Sequence, residues 1–234
     1  MTNINLQGLE NQRLVFYLAL EDYLSTCICE DTLFVWQVKP TVIFGRNQVI
    51  ENEVNVDYCL KNGIEFYRRK SGGGCVYSDP GNIMISYITN DKNVDAVFAR
   101  YLEMMTSFLC GLGLRAVRSE NNDILIDGLK VSGNAFHLTP NSSVVHGTLL
   151  YDMDFGEMEN TLNPPVEKLN KRGIASVRQR VVNLKDIGLE LSIEELKDRL
   201  IKFTCNKTVC LNAEQISKVI QMEREYLNPQ FIQG

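Results

Sequence analysis

Residues 67–82 read YRRKSGGGCVYSDPGN and set Arg68, Arg69 and Lys70 directly before a serine and three glycines, Gly72 to Gly74. Backbone without Cβ atoms lets N–H groups approach an anion or a thin ligand closely. Flanking arginines offer charge to a carboxylate or a phosphate. The stretch is not a Walker A loop, because G-x-x-x-x-G-K-[ST] is absent. Nor is it a dinucleotide fingerprint, because the residues after the glycines alternate like a strand. A flexible turn would use the same glycines; the charge and the strand-turn-strand pattern around them point to a ligand. Arg68 and Arg69 are consecutive, so their side chains should leave a strand on opposite faces.

A second constellation lies in DILIDGLKVSG, where Asp127-Gly128 has the chemistry of a two-residue hairpin turn. That turn pairs Ile126 with Leu129, Leu125 with Lys130 and Ile124 with Val131, and sets Asp123 opposite Ser132. One face is then apolar, with Ile124, Ile126, Leu129 and Val131. The other carries Asp123, Leu125, Lys130 and Ser132, with Asp123 and Lys130 as diagonal neighbours about 7–8 Å apart between Cα atoms. A solvated ion pair fits this placement. So does a carboxylate for a metal beside an ammonium for a phosphate, which suits adenylate chemistry. His146 and His137 read as hydrogen-bonded structural groups, and Cys75, with no histidine near it in sequence, as a buried thiol.

The elements that must position these residues are a few helices among many strands. Leu14, Val15, Leu18, Ala19 and Leu24 recur at helical spacing over residues 12–26. TLFVWQV, TVIFG and IEFYRR read as strands, and CVYSD and IMISYI as two more joined by a Pro80-Gly81-Asn82 turn. Residues 94–112 form a helix whose stripe is Val94, Val97, Phe98, Tyr101, Leu102, Met105, Leu109 and Leu112. VVHGTLLYD is a further strand. Ser192 with Glu195, and Asn212 with Gln215, are capping patterns opening two last helices. Without regular βαβ alternation, the expectation is an α+β domain around a mostly antiparallel sheet. No repeat or linker divides residues 1–234, so one domain is expected.

Composition excludes several classes. A net charge of −5 disfavours a general nucleic-acid binder. No apolar run reaches the ~18 residues a membrane span needs, and the N-terminus lacks a secretory signal pattern. Seven cysteines without a disulfide framework or zinc-site histidines suggest a reducing cytoplasm and mostly buried thiols.

Five segments in order, from residue 13 to 185, resemble the lipoate–protein ligases. RRKSGGGCVYSDPGN is similar to their R-R-x-S-G-G-G-x-V-[FY]-H-D-x-G-N signature, and NNDILIDGLKVSGNAF to their lysine-bearing segment. HGTLLYDMD, LNPPVEKLNKRGIASVRQRV, and YLALEDYL with TVIFGRNQ also align. The resemblance implies the biotin/lipoate ligase catalytic fold, related to class II aminoacyl-tRNA synthetases. It implies activation of lipoic acid with ATP and Mg²⁺ to lipoyl-AMP, then transfer to a lysine of an apo lipoyl domain or of glycine-cleavage H protein. By position it assigns Leu18, Leu20, Glu21, Ile43, Arg69, Ser71, Gly73, Gly74, Ala135 and His146 to lipoate or lipoyl-AMP. Gly74, Val76, Tyr77, Asn82, Asp123, Lys130 and Thr148 fall to the nucleotide. By the same resemblance Asp123 would be the Mg²⁺ ligand, Lys130 the catalytic residue, and 164–182 the mobile adenylate-binding loop.

Two departures qualify the match. Ser78 stands where the family motif has histidine. Family ligases also continue into a C-terminal accessory domain, so a catalytic domain alone is expected here, with a separate accessory protein as a possible partner and a monomer as the default state. A cysteine-dependent octanoyl- or lipoyl-transferase needs a thiol nucleophile, and SENND and SSVV hold none at the positions that branch uses. Biotin ligases carry G-R-G-R-x-G instead of R-R-K-S-G-G-G. A non-catalytic lipoate or lipoyl-domain binder would have no need of Asp123.

Overall fold

The structure is a computed structural model describing residues 1–27, 29–163 and 180–234. Most of the expected adenylate-binding loop therefore lies outside the described residues. In chain order the elements are β1 (Thr2–Asn5), α1 (Leu14–Cys27), β2 (Thr32–Trp36), β3 (Thr41–Phe44), α2 (Ile50–Glu53), α3 (Val56–Asn62), β4 (Glu65–Arg68), β5 (Val76–Ser78) and β6 (Asn82–Thr89). Then come α4 (Val94–Gly111), β7 (Ala116–Arg118), β8 (Ile124–Ile126), β9 (Leu129–Ser132), β10 (Asn134–Leu138), β11 (Ser143–Leu150) and α5 (Phe155–Thr161). The last are α6 (Ile193–Thr204), β12 (Lys207–Cys210), α7 (Ala213–Tyr226) and α8 (Pro229–Gln233).

Six strands form the main sheet in the order β10-β11-β6-β2-β1-β12, and two smaller sheets run β4-β3-β5 and β7-β8-β9. Among the described strands, β1 with β2, β1 with β12, and β3 with β4 pair in parallel and the other pairings are antiparallel, so the sheets are mostly antiparallel.

Strand β6 explains how the layers assemble. Its side chains alternate faces, and both faces are covered. Ile83, Ile85 and Tyr87 pack with the α4 residues Val97, Tyr101, Leu102, Met105 and Leu109. Met84 and Ile88 pack with α1. The main sheet is thus sandwiched between α4 and α1, and α1 is covered in turn by Val219 and Tyr226 of α7. That is why Leu14 through Leu20 are all buried, and not just one stripe of the helix. In α4 the stripe is buried as expected except at its two ends: Val94 is 40% exposed and Leu112 is half-buried. Asn93 caps this helix by accepting from Ala96 N, and both later capping boxes are formed.

The turn at residues 80–82 joins β5 to β6 without pairing them: β5 lies in the small sheet with β3, and β6 in the main one. Asp79 fastens this corner by accepting from Gly81 N at 2.8 Å and Asp154 N at 2.9 Å. A Cβ on Gly81 would stand 2.1 Å from Asp152 O, so only glycine passes here.

The thiols correct one expectation. Cys59 is buried and Cys75 and Cys205 are half-buried, but Cys27, Cys29, Cys110 and Cys210 are exposed. Cys27 and Cys110 fall in the last turns of α1 and α4, and Cys210 ends the edge strand β12, places the core does not reach.

Candidate active site

The stretch after β4 is braced from inside. Arg69 is 5% exposed, and its guanidinium donates to Ser71 Oγ (2.9 Å), Gly72 O (2.6 Å), Gly74 O (2.8 Å) and Ile43 O (3.2 Å). Burial pulls its pKa down to about 10, which leaves it a cation at neutral pH. The carbonyls of the glycine loop thus turn inward onto a fixed charge. Gly73 sits at φ +94°, and a Cβ there would be 2.8 Å from the Arg69 guanidinium. Gly74 needs no special φ; a Cβ on it would meet nothing within 4 Å, and its bare backbone lines an open cavity. Arg68 leaves the other way and shares no partner with Arg69, as consecutive residues of a strand require.

Below the loop runs a buried polar relay. His146 Nε2 lies 2.6 Å from Ser71 Oγ, and His146 Nδ1 lies 3.1 Å from Glu21 Oε2. Ser86 Oγ donates to Glu21 Oε1 at 2.5 Å, and Trp36 Nε1 donates to Ser86 Oγ at 2.9 Å. The directions follow from the ends. The Glu21 carboxylate can only accept, so Nδ1–H goes to Glu21; Nε2 of the singly protonated ring then accepts the Ser71 proton, while Arg69 Nε donates to the same hydroxyl. His146 is hydrogen-bonded, as its place in a strand suggests, but it also opens onto the cavity. Its partners come from α1 and the glycine loop.

The hairpin brings the second constellation to the same cavity. Asp127 (φ +50°) and Gly128 (φ +81°) make the left-handed turn that Asp-Gly favours. Leu125 pairs with Lys130 and Ile126 with Leu129 as expected, but Ile124 pairs with Ser132, because a bulge intervenes. Ser132 therefore does not oppose Asp123; it is fully buried, as is Val131. Lys130 Nζ meets Asp123 Oδ1 at 2.9 Å, with the side chains 34% and 25% exposed. A Cβ on Gly133 would be 2.7 Å from Nζ, so this glycine leaves the lysine its place. The main chain of Lys130 is also held, its carbonyl accepting from Val182 N at 3.0 Å.

The cavity between loop and hairpin measures about 290 Å³. Of the residues expected at the site, Leu18, Ile43, Arg69, Gly73, Gly74, Val76, Asp123, Lys130, Ala135, His146 and Thr148 line it. Glu21 and Ser71 stand one hydrogen bond behind, on His146. Leu20, Tyr77 and Asn82 do not line it: Leu20 and Tyr77 are buried in core clusters, and Asn82 Nδ2 donates to Ser78 Oγ at 2.9 Å. Ser78 itself is fully buried and off the cavity wall, so this departure from the motif does not open onto the pocket. Sequence reasoning missed Trp36, Met84 and Asn134, which also line the cavity. Trp36 and Met84 look like ordinary strand residues; Asn134, just after Ser132-Gly133, was the one with a polar signal.

Cys75 also lines the cavity. Burial pushes its thiol up to about 12, so at pH 8 only about one part in ten thousand is thiolate. We expect iodoacetamide at pH 8 to label Cys27, Cys29, Cys110 and Cys210 and to spare Cys75 in peptide mapping. Rapid labelling of Cys75 in the folded protein would show a reactive thiol at the site.

The α+β fold is that of solved lipoate–protein ligases. A bipartite lipoate protein ligase from Thermoplasma acidophilum, solved in a study with its E2 lipoyl domain, superposes with a TM-score of 0.86 at 26% identity, over 100% of this chain and 95% of that one. A lipoate-protein ligase A bound with ATP gives 0.82 at 24% identity over 96% and 99% of the two chains, a likeness of fold. The chain belongs to the lipoyl protein ligase A/B catalytic domain family, whose model matches residues 14–204. Lipoate–protein ligase 1 of Staphylococcus aureus is 37% identical over 195 residues, 82% of this chain and 60% of that protein. The ligase LplJ of Bacillus subtilis is 35% identical over 197 residues, 81% and 58% of the two chains. The chain spans about 60% of the length of these relatives.

Proposed function

We propose that this domain activates lipoic acid with ATP to lipoyl-AMP and transfers the lipoyl group to a lysine of an apo lipoyl domain or H protein. The observation that carries this reading is a partly apolar cavity with Lys130 and Asp123 on one wall and the Arg69-braced glycine loop on another. Leu18, Trp36, Ile43, Val76, Met84 and Ala135 suit a dithiolane and its methylene chain. In the first step the lipoate carboxylate attacks the α-phosphorus and pyrophosphate leaves. In the second, the neutral acceptor amine attacks the acyl carbon, AMP leaves, and the amine proton is lost. The ammonium of Lys130 stabilises charge on the α-phosphate in the first step and on the carbonyl oxygen in the second; it is not itself acylated.

Asp123 fits a Mg²⁺ role. Mg²⁺ on a nucleotide usually takes one or two carboxylates and completes its shell with phosphates and water. No cluster of three His, Cys, Asp or Glu able to hold a metal occurs among the described residues, so Asp123 would supply a single carboxylate beside the phosphates. The ion would neutralise phosphate charge during transfer. No helix among the described residues is long and apolar enough to cross a membrane. The archaeal relative is described as bipartite, and we take a separate accessory protein as part of the working assembly. The high pKa of the Cys75 thiol counts against a thioester route.

The deciding experiment is mass spectrometry of apo H protein and apo lipoyl domains after incubation with the protein, lipoate and MgATP, with and without an accessory protein. One lipoyl addition at one lysine is expected, strictly dependent on ATP. Addition from a preformed acyl donor alone, with no lipoate-dependent pyrophosphate release, would assign a transferase instead.

A further inference from the structure

Arg68 is 3% exposed, yet it takes no part in the cavity wall. Its hydrogen-bond partners are all main-chain carbonyls, and they belong to two separate segments. Nη1 donates to Gly45 O (3.3 Å), Arg46 O (2.7 Å) and Gln48 O (2.8 Å). Nε donates to Ile232 O (3.0 Å) and Nη2 to Gln233 O (2.9 Å), at the C-terminal end of α8, where exposed carbonyls favour a cation. Two residues on, and so on the same side of the chain, Lys70 Nζ reaches Glu225 Oε2 of α7 (2.7 Å) and Asp22 Oδ2 of α1 (2.8 Å). Tyr226 OH donates to the same Asp22 oxygen at 2.8 Å.

The 45–48 loop stands directly behind the glycine loop. Arg46 N donates to Ser71 O at 2.9 Å, and a Cβ on Gly45 would be 2.4 Å from Gly73 O. One guanidinium fork therefore registers the end of α8 against the loop that backs the cavity wall. The family model stops at residue 204, so the strap formed by α7 and α8 lies outside the matched region while gripping its most distinctive motif.

We propose that α7 and α8 act as a positioning strap for the site, with Arg68 as the positioning residue that transmits it. Loss of either carbonyl set frees the fork to turn toward the remaining one or toward water. The 45–48 loop then loosens, and Ser71 to Gly73 lose their backing. The consequence for lipoate rests on the proposed ligase function; the coupling between strap and loop does not.

The test compares the full chain with Arg68→Gln, with a variant lacking residues 229–234, and with the two combined. Hydrogen exchange at the Arg46 amide reads the coupling without any ligand. Titration calorimetry and steady-state kinetics with lipoate read the site. We expect each single change to speed Arg46 exchange about tenfold, the combination to be no faster than either, and KM for lipoate to rise about tenfold with kcat within twofold. Arg68→Lys should not rescue, because a point charge cannot span both carbonyl sets. Exchange unchanged in the shortened chain, effects that simply add, or an unchanged KM would overturn the proposal. If the shortened chain does not fold, Arg68→Gln decides alone by the same exchange and kinetic criteria. Altered exchange in a protein whose full chain does not bind lipoate at all would leave the strap standing and reject the ligase function.

Discussion

Lys130→Ala should lower lipoate-dependent pyrophosphate release by about 10²–10³-fold or more while leaving the fold intact, because under the proposed mechanism the ammonium is a fixed charge aimed where negative charge develops. Two observations separate the catalytic from the structural effect. The Lys130–Asp123 pair is about a third exposed on one side and a quarter on the other, so its loss costs stability under about 1 kcal/mol. The strand is held by its pairing with Leu125 and Ile126 of β8 and by the Val182 amide, which the substitution leaves in place. Near-UV circular dichroism should match the parent, and the urea midpoint should move little. Lipoyl-AMP formation at the parent rate would remove Lys130 from the chemistry. A large loss of stability would mean that the pair had a structural role first.

Glu21→Ala should show the opposite profile, with a large loss of stability. Glu21 is 5% exposed and accepts from both Ser86 Oγ and His146 Nδ1. Alanine leaves two buried donors without an acceptor, and the expected cost is about 3 kcal/mol. In a domain of this size that lowers Tm by roughly 6–12 °C. Glu21→Gln keeps one carbonyl oxygen for one of the donors, so it should cost less than alanine. Chemical denaturation of the three proteins gives the comparison directly. A change under about 1 kcal/mol for Glu21→Ala would mean that the relay does not hold in solution.

The hairpin was legible because Asp-Gly sets its turn locally and apolar alternation sets its face. The bulge before Ser132 was not, since it answers to packing and to the contact of Lys130 with Val182 far along the chain. The long helix α4 was legible from its stripe alone. Strands β1 and β12, TNIN and KTVC, have no alternation to read; β1 pairs in parallel with both β2 and β12, and β12 pairs with β1. The relay joins residues 75 and 125 positions apart, and no local pattern marks such a pair. The partners of Arg68 were hidden for a different reason. Carbonyl oxygens are common to every residue, so a guanidinium whose hydrogen bonds all go to carbonyls leaves no complementary polar letter in the sequence. The two arginines beside the glycines read as charge for a ligand on opposite faces of a strand; of the two, Arg69 lines the cavity.

Strand β6 gives the relay a second significance, during folding. Both faces of this strand are buried, so its hydrophobic pattern discriminates weakly between the native pairing and one slipped by a single residue. A slip would exchange Ser86 for Ile85 or Tyr87 opposite α1. Neither neighbour can take over both of its contacts: isoleucine has no hydroxyl, and a tyrosine ring does not fit the space of a serine between Trp36 and Glu21. The misregistered chain would bury a carboxylate without one of its two donors. The polar thread beneath the pocket thus marks one alignment of a strand that greasy packing alone would leave ambiguous, and a chain that has closed the pocket has also found its register.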